Sequence, residues 1–260
     1  MKTFYVLCLL LALAVTAAGK EPVTVHLAGD STMAGKLPEK RPETGWGEML
    51  QKHFRGDRVR VLNHAKNGRS TRLFIEQKLW QGLLDALREG DYVFIQFGHN
   101  DGAKDKPDRY TPPEDYRANL VRFVREVRER KATPVLFTPV MRRKFTKEGV
   151  FVDQHGVYPD IVREVAAGHR TPLIDMHRSS ERALVAYGPE ESRKLFLQLK
   201  PGEHPNYPKG VEDNTHFVPA GAEVMAGLAV EGIRESRLGL AKHLLKAGPA
   251  KASKSAGAAN

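Results

Sequence analysis

Four short polar blocks, widely separated in the chain, hold residue types that could together carry out acyl transfer. "GDST" places Ser31 after Asp30, "NGRS" contributes Gly68, "GHND" contributes His99 and Asn100, and "DNTH" contributes Asp213 and His216. A serine hydroxyl is a weak nucleophile until a base removes its proton, and His216 is the candidate base. Such a histidine needs an acceptor to hold its ring in one tautomer, and Asp213 stands three residues earlier. The tetrahedral intermediate needs donors aimed at its oxyanion. A backbone N–H at a glycine and an asparagine amide both serve, each typically worth about 3 to 4 kcal/mol of barrier.

Taken singly, each block has an ordinary reading. Ser31 could cap a helix, Gly68 could be a turn glycine, and Asn100-Asp101-Gly102 is a turn sequence in its own right. Asp213 or Asn214 could cap the helix that starts at Pro219, leaving His216 on the surface. Together, the blocks supply a nucleophile, a base, an orienting acid and oxyanion donors, and this favours the catalytic reading. Asp30 is read as a brace for the turn, not as a catalytic group.

Such residues must be positioned by a scaffold. Short apolar runs at 23–27, 59–62, 92–97, 135–139 and 173–175 end in Gly, Asn, Asp or Pro and read as strands. Amphipathic segments lie between them. In 112–130, Tyr116, Leu120, Phe123, Val124 and Val127 share one helical face and four arginines the other. A second segment covers 75–87, and a third begins at Pro219. Alternation of this kind predicts a parallel sheet with helices on both faces, a three-layer α/β/α domain. Ligands of such sheets sit beyond the carboxyl ends of the strands, where the first three blocks lie. Residues 141–159 show no period and are expected to form a functional loop.

In content and order the four blocks resemble the SGNH (GDSL-type) hydrolases. "GDSTMA", "GWGEML", "NGRSTR", "FGHNDG" and "DNTHF…GA" are most similar to the rhamnogalacturonan acetylesterase branch of that family. The resemblance runs over 23–233. It implies a flavodoxin-like sheet and metal-free ester hydrolysis by Ser31, His216 and Asp213. It further implies an oxyanion hole made by the Ser31 and Gly68 backbone N–H groups and the Asn100 side chain. The implied substrate is an O-acetylated plant cell-wall polysaccharide, rhamnogalacturonan first, with acetyl-xylan or another short-chain acyl ester as the alternative. No Gly-x-Ser-x-Gly elbow of the α/β-hydrolases is present.

Composition limits the alternatives. Lys2, the apolar stretch 4–15 and Ala17-Ala18-Gly19 read as a signal peptide over 1–19, so the protein is expected to be secreted or periplasmic. The apolar stretch is short for a membrane span, which needs about 20 residues. Cys8, inside that leader, is the only cysteine, which excludes a disulfide scaffold and thiolate metal sites in the mature chain. The hydrolase domain is assigned to 20–240, and 241–260 is read as a basic, disordered tail. The formal charge of +10 is compatible with an acidic polysaccharide, while a nucleic-acid partner is not expected. No cofactor is expected. No metal is expected either, because His53, His64, His155, His169, His177 and His204 lack metal-site spacing. Trp46 could line a sugar surface or anchor the core, and Arg69, Arg142 and Arg143 could meet uronate carboxylates. Oligomeric state is not fixed by the sequence, and a monomer is compatible with it.

Overall fold

The computed structural model describes residues 21–246; the expected signal peptide and most of the expected tail lie outside that range. Five strands, β1 (Val23–Gly29), β2 (Val59–Asn63), β3 (Tyr92–Gln96), β4 (Thr133–Phe137) and β5 (Leu173–Ile174), form one sheet in the order β2-β1-β3-β4-β5. Every neighbouring pair is parallel. This order belongs to the flavodoxin-like doubly wound folds, whose ligands sit where the winding reverses, between β1 and β3.

The helices are α1 (Trp46–Met49), α2 (Thr71–Glu76), α3 (Leu79–Ala86), α4 (Pro113–Glu129), α5 (Tyr158–Gly168), α6 (Met176–Glu191) and α7 (Pro219–Glu235). Strand periodicity sorts them into two layers. Val25, Leu27, Phe94, Val135 and Phe137 face a core shared with α1, α6 and α7. Ala28, Val93, Ile95 and Leu136 face the opposite core, filled from α2, α3, α4 and α5. The expected three-layer architecture is therefore present, and all five expected strands are found.

Several features differ from expectation. The segment 75–87 is two helices, because Lys78 adopts a left-handed φ of 58° between α2 and α3. At its other end α2 meets the loop after β3: the Thr71 N–H and Oγ1 both donate to Asp101 Oδ1, at 2.9 and 2.6 Å. A further antiparallel hairpin, β6 (Phe196–Leu199) and β7 (Val211–Phe217), was not expected. The domain also runs past residue 240. The Arg55 N–H donates to the His243 carbonyl, the Leu245 N–H donates to the His53 carbonyl, and Leu244 packs against the core, so a tail starting at 241 is corrected.

Candidate active site

β1 ends at Gly29, where a side chain would press within 2.8 Å of the Gln96 carbonyl on β3. Past it, Asp30 organises a tight turn. Its carbonyl accepts from the Met33 and Ala34 amides, while Oδ1 accepts from the Thr32 N–H at 2.9 Å and Thr32 Oγ1 at 2.8 Å. A buried polar chain continues beneath it. Gln96 donates to Thr32 Oγ1 at 2.8 Å and accepts from Trp46 Nε1 at 3.0 Å. Trp46 is fully buried against Phe137, so it anchors the core and does not line a sugar surface.

The other blocks converge on this turn. Parallel pairing continues beyond β2, with the Lys66 N–H donating to the Gly29 carbonyl at 3.0 Å, which carries Gly68 alongside Ser31. Gly68 has φ +74°, a conformation glycine adopts without steric cost. After β3, Asn100 Nδ2 donates one hydrogen to the Arg69 carbonyl at 3.0 Å and keeps a second. Among the described residues, neither the Ser31 nor the Gly68 N–H is engaged in a hydrogen bond.

Asp213 and His216 lie on strand β7, not in a loop ahead of α7. Gln198 on β6 donates to the Asp213 carbonyl at 3.0 Å, and the Arg143 N–H donates to the Asn214 carbonyl at 2.8 Å. Asp213 Oδ1 accepts from the backbone N–H groups of Thr215 and His216, at 2.7 and 3.0 Å. Its Oδ2 lies 2.6 Å from His216 Nδ1. Burial alone would raise the Asp213 carboxyl, but the hydrogen bonds and charge of His216 and the backbone amides outweigh it and hold the group at about 2. An ionised carboxylate only accepts, so His216 Nδ1 carries the proton and Nε2 presents its lone pair. That Nε2 lies 2.8 Å from Ser31 Oγ.

Ser31, Gly68, Asn100, Asp213 and His216 open onto one cavity of about 790 Å³. Arg69 and Arg142 also line it, with Lys40, Lys106 and Arg109. Arg142 is anchored by donating to Thr215 Oγ1 at 2.9 Å and to the His99 carbonyl at 3.2 Å. Arg143 is different: its guanidinium is spent on Ser192 Oγ, Asn214 Oδ1 and the Pro189 carbonyl, so it anchors β7 from behind. The loop 141–157 thus shapes the site through these two arginines.

Asp153, His155 and His177 come close enough to hold an ion, although their sequence spacing gave no such signal. Their protons are already committed. Arg163 donates to His177 Nδ1 at 3.3 Å, which leaves the proton on Nε2, 3.1 Å from Asp153 Oδ2. His155 Nδ1 donates to Asp153 Oδ1 at 2.8 Å. A metal on His177 Nε2 would move that proton to Nδ1, against the arginine. The donor set fits a carboxylate held by two imidazole N–H groups better than an ion site.

The geometry has counterparts among known proteins. The sequence model of the GDSL-like lipase/acylhydrolase family matches residues 27–224. The chain is 42% identical to rhamnogalacturonan acetylesterase RhgT of Bacillus subtilis (strain 168), over 87% of this chain and 96% of that one. It is 34% identical to probable rhamnogalacturonan acetylesterase YesY of the same organism, over 85% and 97%. The crystal structure of Axe2, an acetylxylan esterase from Geobacillus stearothermophilus, superposes with a TM-score of 0.59 over 82% of this chain and 94% of that one; at 18% identity this is a likeness of fold. The chain belongs to the GDSL-like lipase/acylhydrolase family, a family of carboxylic ester hydrolases.

Proposed function

We propose that this protein is a carbohydrate acetylesterase that removes O-acetyl groups from rhamnogalacturonan through an acetyl-enzyme on Ser31. The observation that carries the reading is the chain of contacts from Asp213 Oδ2 through His216 to Ser31 Oγ, 2.6 and 2.8 Å, at the floor of an open cleft. Ser31 Oγ attacks the acetyl carbonyl while His216 Nε2 takes its proton. Charge developing on the carbonyl oxygen is met by the Ser31 and Gly68 N–H groups and the free Asn100 amide hydrogen. His216 gives that proton to the departing sugar oxygen, which leaves as the free hydroxyl. Water then adds to the acetyl carbon while His216 takes one of its protons; the Ser31–acetyl bond breaks, His216 returns the proton to Ser31 Oγ, and acetic acid leaves and ionises to acetate.

The rim supports an acidic polymer. Among the residues lining the cleft, Glu43 pairs with Lys36, Asp108 with Arg109 and Asp213 with His216. Lys40, Lys106, Arg69 and Arg142 remain to face the carboxylates of a galacturonate-containing chain. The similarity to RhgT and YesY supports the same substrate. Export through the leader at 1–19 is part of the proposal, since a polymer of this size is met outside the cell.

The test is acetate release by the mature chain from acetylated rhamnogalacturonan and acetylated xylan, with Ser31→Ala beside it. Release from the pectic polymer, lost in the variant, supports the reading. Release from xylan alone keeps the mechanism and overturns the substrate.

A further inference from the structure

Lys36 is an unusual residue for the floor of a cleft. Its side chain is 0% exposed, and that of Glu43 is only 11% exposed. A buried ammonium persists only where its donors are matched. Here all three are: Lys36 Nζ donates to the Ser31 carbonyl, to Asn67 Oδ1 at 2.8 Å and to Glu43 Oε1 at 2.8 Å. Those acceptors belong to three separate parts of the site. Ser31 carries the nucleophilic oxygen, Asn67 precedes the oxyanion glycine, and Glu43 Oε1 lies 4.0 Å from His216 Nε2. Nothing in the acyl-transfer scheme above uses either charge.

We propose that Lys36 and Glu43 are a positioning pair for this reaction: Lys36 locks the backbone of Ser31 to the Gly68 loop, and the Glu43 carboxylate steadies the imidazolium of His216. The proposal rests on the esterase reading of Ser31 and His216. During attack, positive charge appears on His216, with Asp213 on its Nδ1 side and Glu43 on its Nε2 side. Lys36 offsets Glu43 and keeps that carboxylate from over-stabilising the ring. The other charged and titratable groups lining the cleft are Lys40, Arg69, His99, Lys106, Asp108, Arg109 and Arg142, and Tyr207 donates to the Lys40 carbonyl. Neither Lys36 nor Glu43 is assigned a bond to substrate.

The two charges have opposite signs, so their removal has opposite consequences. Glu43→Gln takes a negative charge from beside the ring and leaves Lys36. The acid limb of the kcat/KM profile then moves to lower pH, by about 0.5 to 1 unit for a charge at this distance. Lys36→Met leaves Glu43 uncompensated, and the same limb moves to higher pH. It also loosens Ser31, so kcat falls roughly ten- to a hundred-fold with little change in KM.

The experiment is the pH dependence of kcat and kcat/KM on a small aryl acetate for the wild-type chain, Glu43→Gln, Lys36→Met and the double variant. Opposite displacements that cancel in the double variant support the pair. Limbs that stay in place, or that move in one direction for both variants, overturn it, because a purely structural role predicts no sign reversal. If Lys36→Met does not fold, Glu43→Gln decides alone: a downward shift supports the proposal and an unmoved limb overturns it. An inactive wild-type chain would instead overturn the esterase reading, and this proposal with it.

Discussion

His99 Nδ1 lies 3.0 Å from Asp30 Oδ2, with both side chains sealed from solvent. The residue before Ser31 is thus bound to the residue before Asn100, and this contact ties the loop after β1 to the loop after β3. Burial would raise the Asp30 carboxyl, but the charge and hydrogen bond of His99, with the two Thr32 donors, hold it at about 2. A carboxyl lowered on folding stabilises the native state above its unfolded value near 4, and that stability is lost as pH falls toward about 2.

Asp30→Asn should therefore cost about 2 kcal/mol at pH 7 and leave the variant less sensitive to acid between pH 4 and pH 2. Urea unfolding at pH 7 and at pH 3 measures both. Equal losses at the two pH values would contradict this account of the contact.

Asp101 has the opposite sign. Burial pushes its carboxyl up to about 6, only partly offset by Thr71, and Oδ2 has no partner among the described residues. Between pH 6 and pH 4 the folded chain binds a proton that the unfolded chain does not, so this group favours the native state increasingly as pH falls. Asp101→Asn keeps an acceptor for Thr71 and removes the charge. It should raise stability at pH 7 by about 2 kcal/mol and have little effect at pH 4. Thermal melts at the two pH values check the sign.

Asn100→Ala should lower kcat by about 10² to 10³ with KM nearly unchanged, as expected for a donor used mainly when the oxyanion forms. The bond to the Arg69 carbonyl is also lost, so circular dichroism must accompany the kinetics. A fall of less than tenfold would remove Asn100 from the oxyanion hole.

Asp213→Asn keeps the shape of the side chain and loses the charge that fixes His216 with its proton on Nδ1. The expected loss is about 10⁴ in kcat. Because the carboxyl sits at about 2, the wild-type residue is ionised throughout any useful pH range and should add no limb of its own to the activity profile.

Much of the scaffold was legible because the central strands β1, β3 and β4 are buried over most of their length and read as mainly apolar runs, while the edge strand β2 still shows Val59, Val61 and Leu62 between its exposed Arg60 and Asn63. β7 has no such run. Its sequence, "VEDNTHF", alternates half-buried and exposed positions on a hairpin, and contacts from Gln198 and Arg143 help hold it in place. Asp213 and His216 were therefore singled out by residue type and order while their strand was missed. The break at Lys78 carries no glycine or proline to announce it. Trp46 was undecidable from sequence because only the fold brings Gln96 to its indole nitrogen. The Lys36–Glu43 pair is invisible for a related reason: the six residues 37–42 separate two charges that meet only in three dimensions.

The most direct test of the central claim is rapid acid quenching of the enzyme during turnover of an aryl acetate, followed by peptide mass spectrometry. The account predicts one acetyl group, on the peptide and at the side chain of Ser31, absent from Ser31→Ala. Steady turnover with Ser31 unmodified, or acetyl on another residue with activity retained in Ser31→Ala, would contradict it.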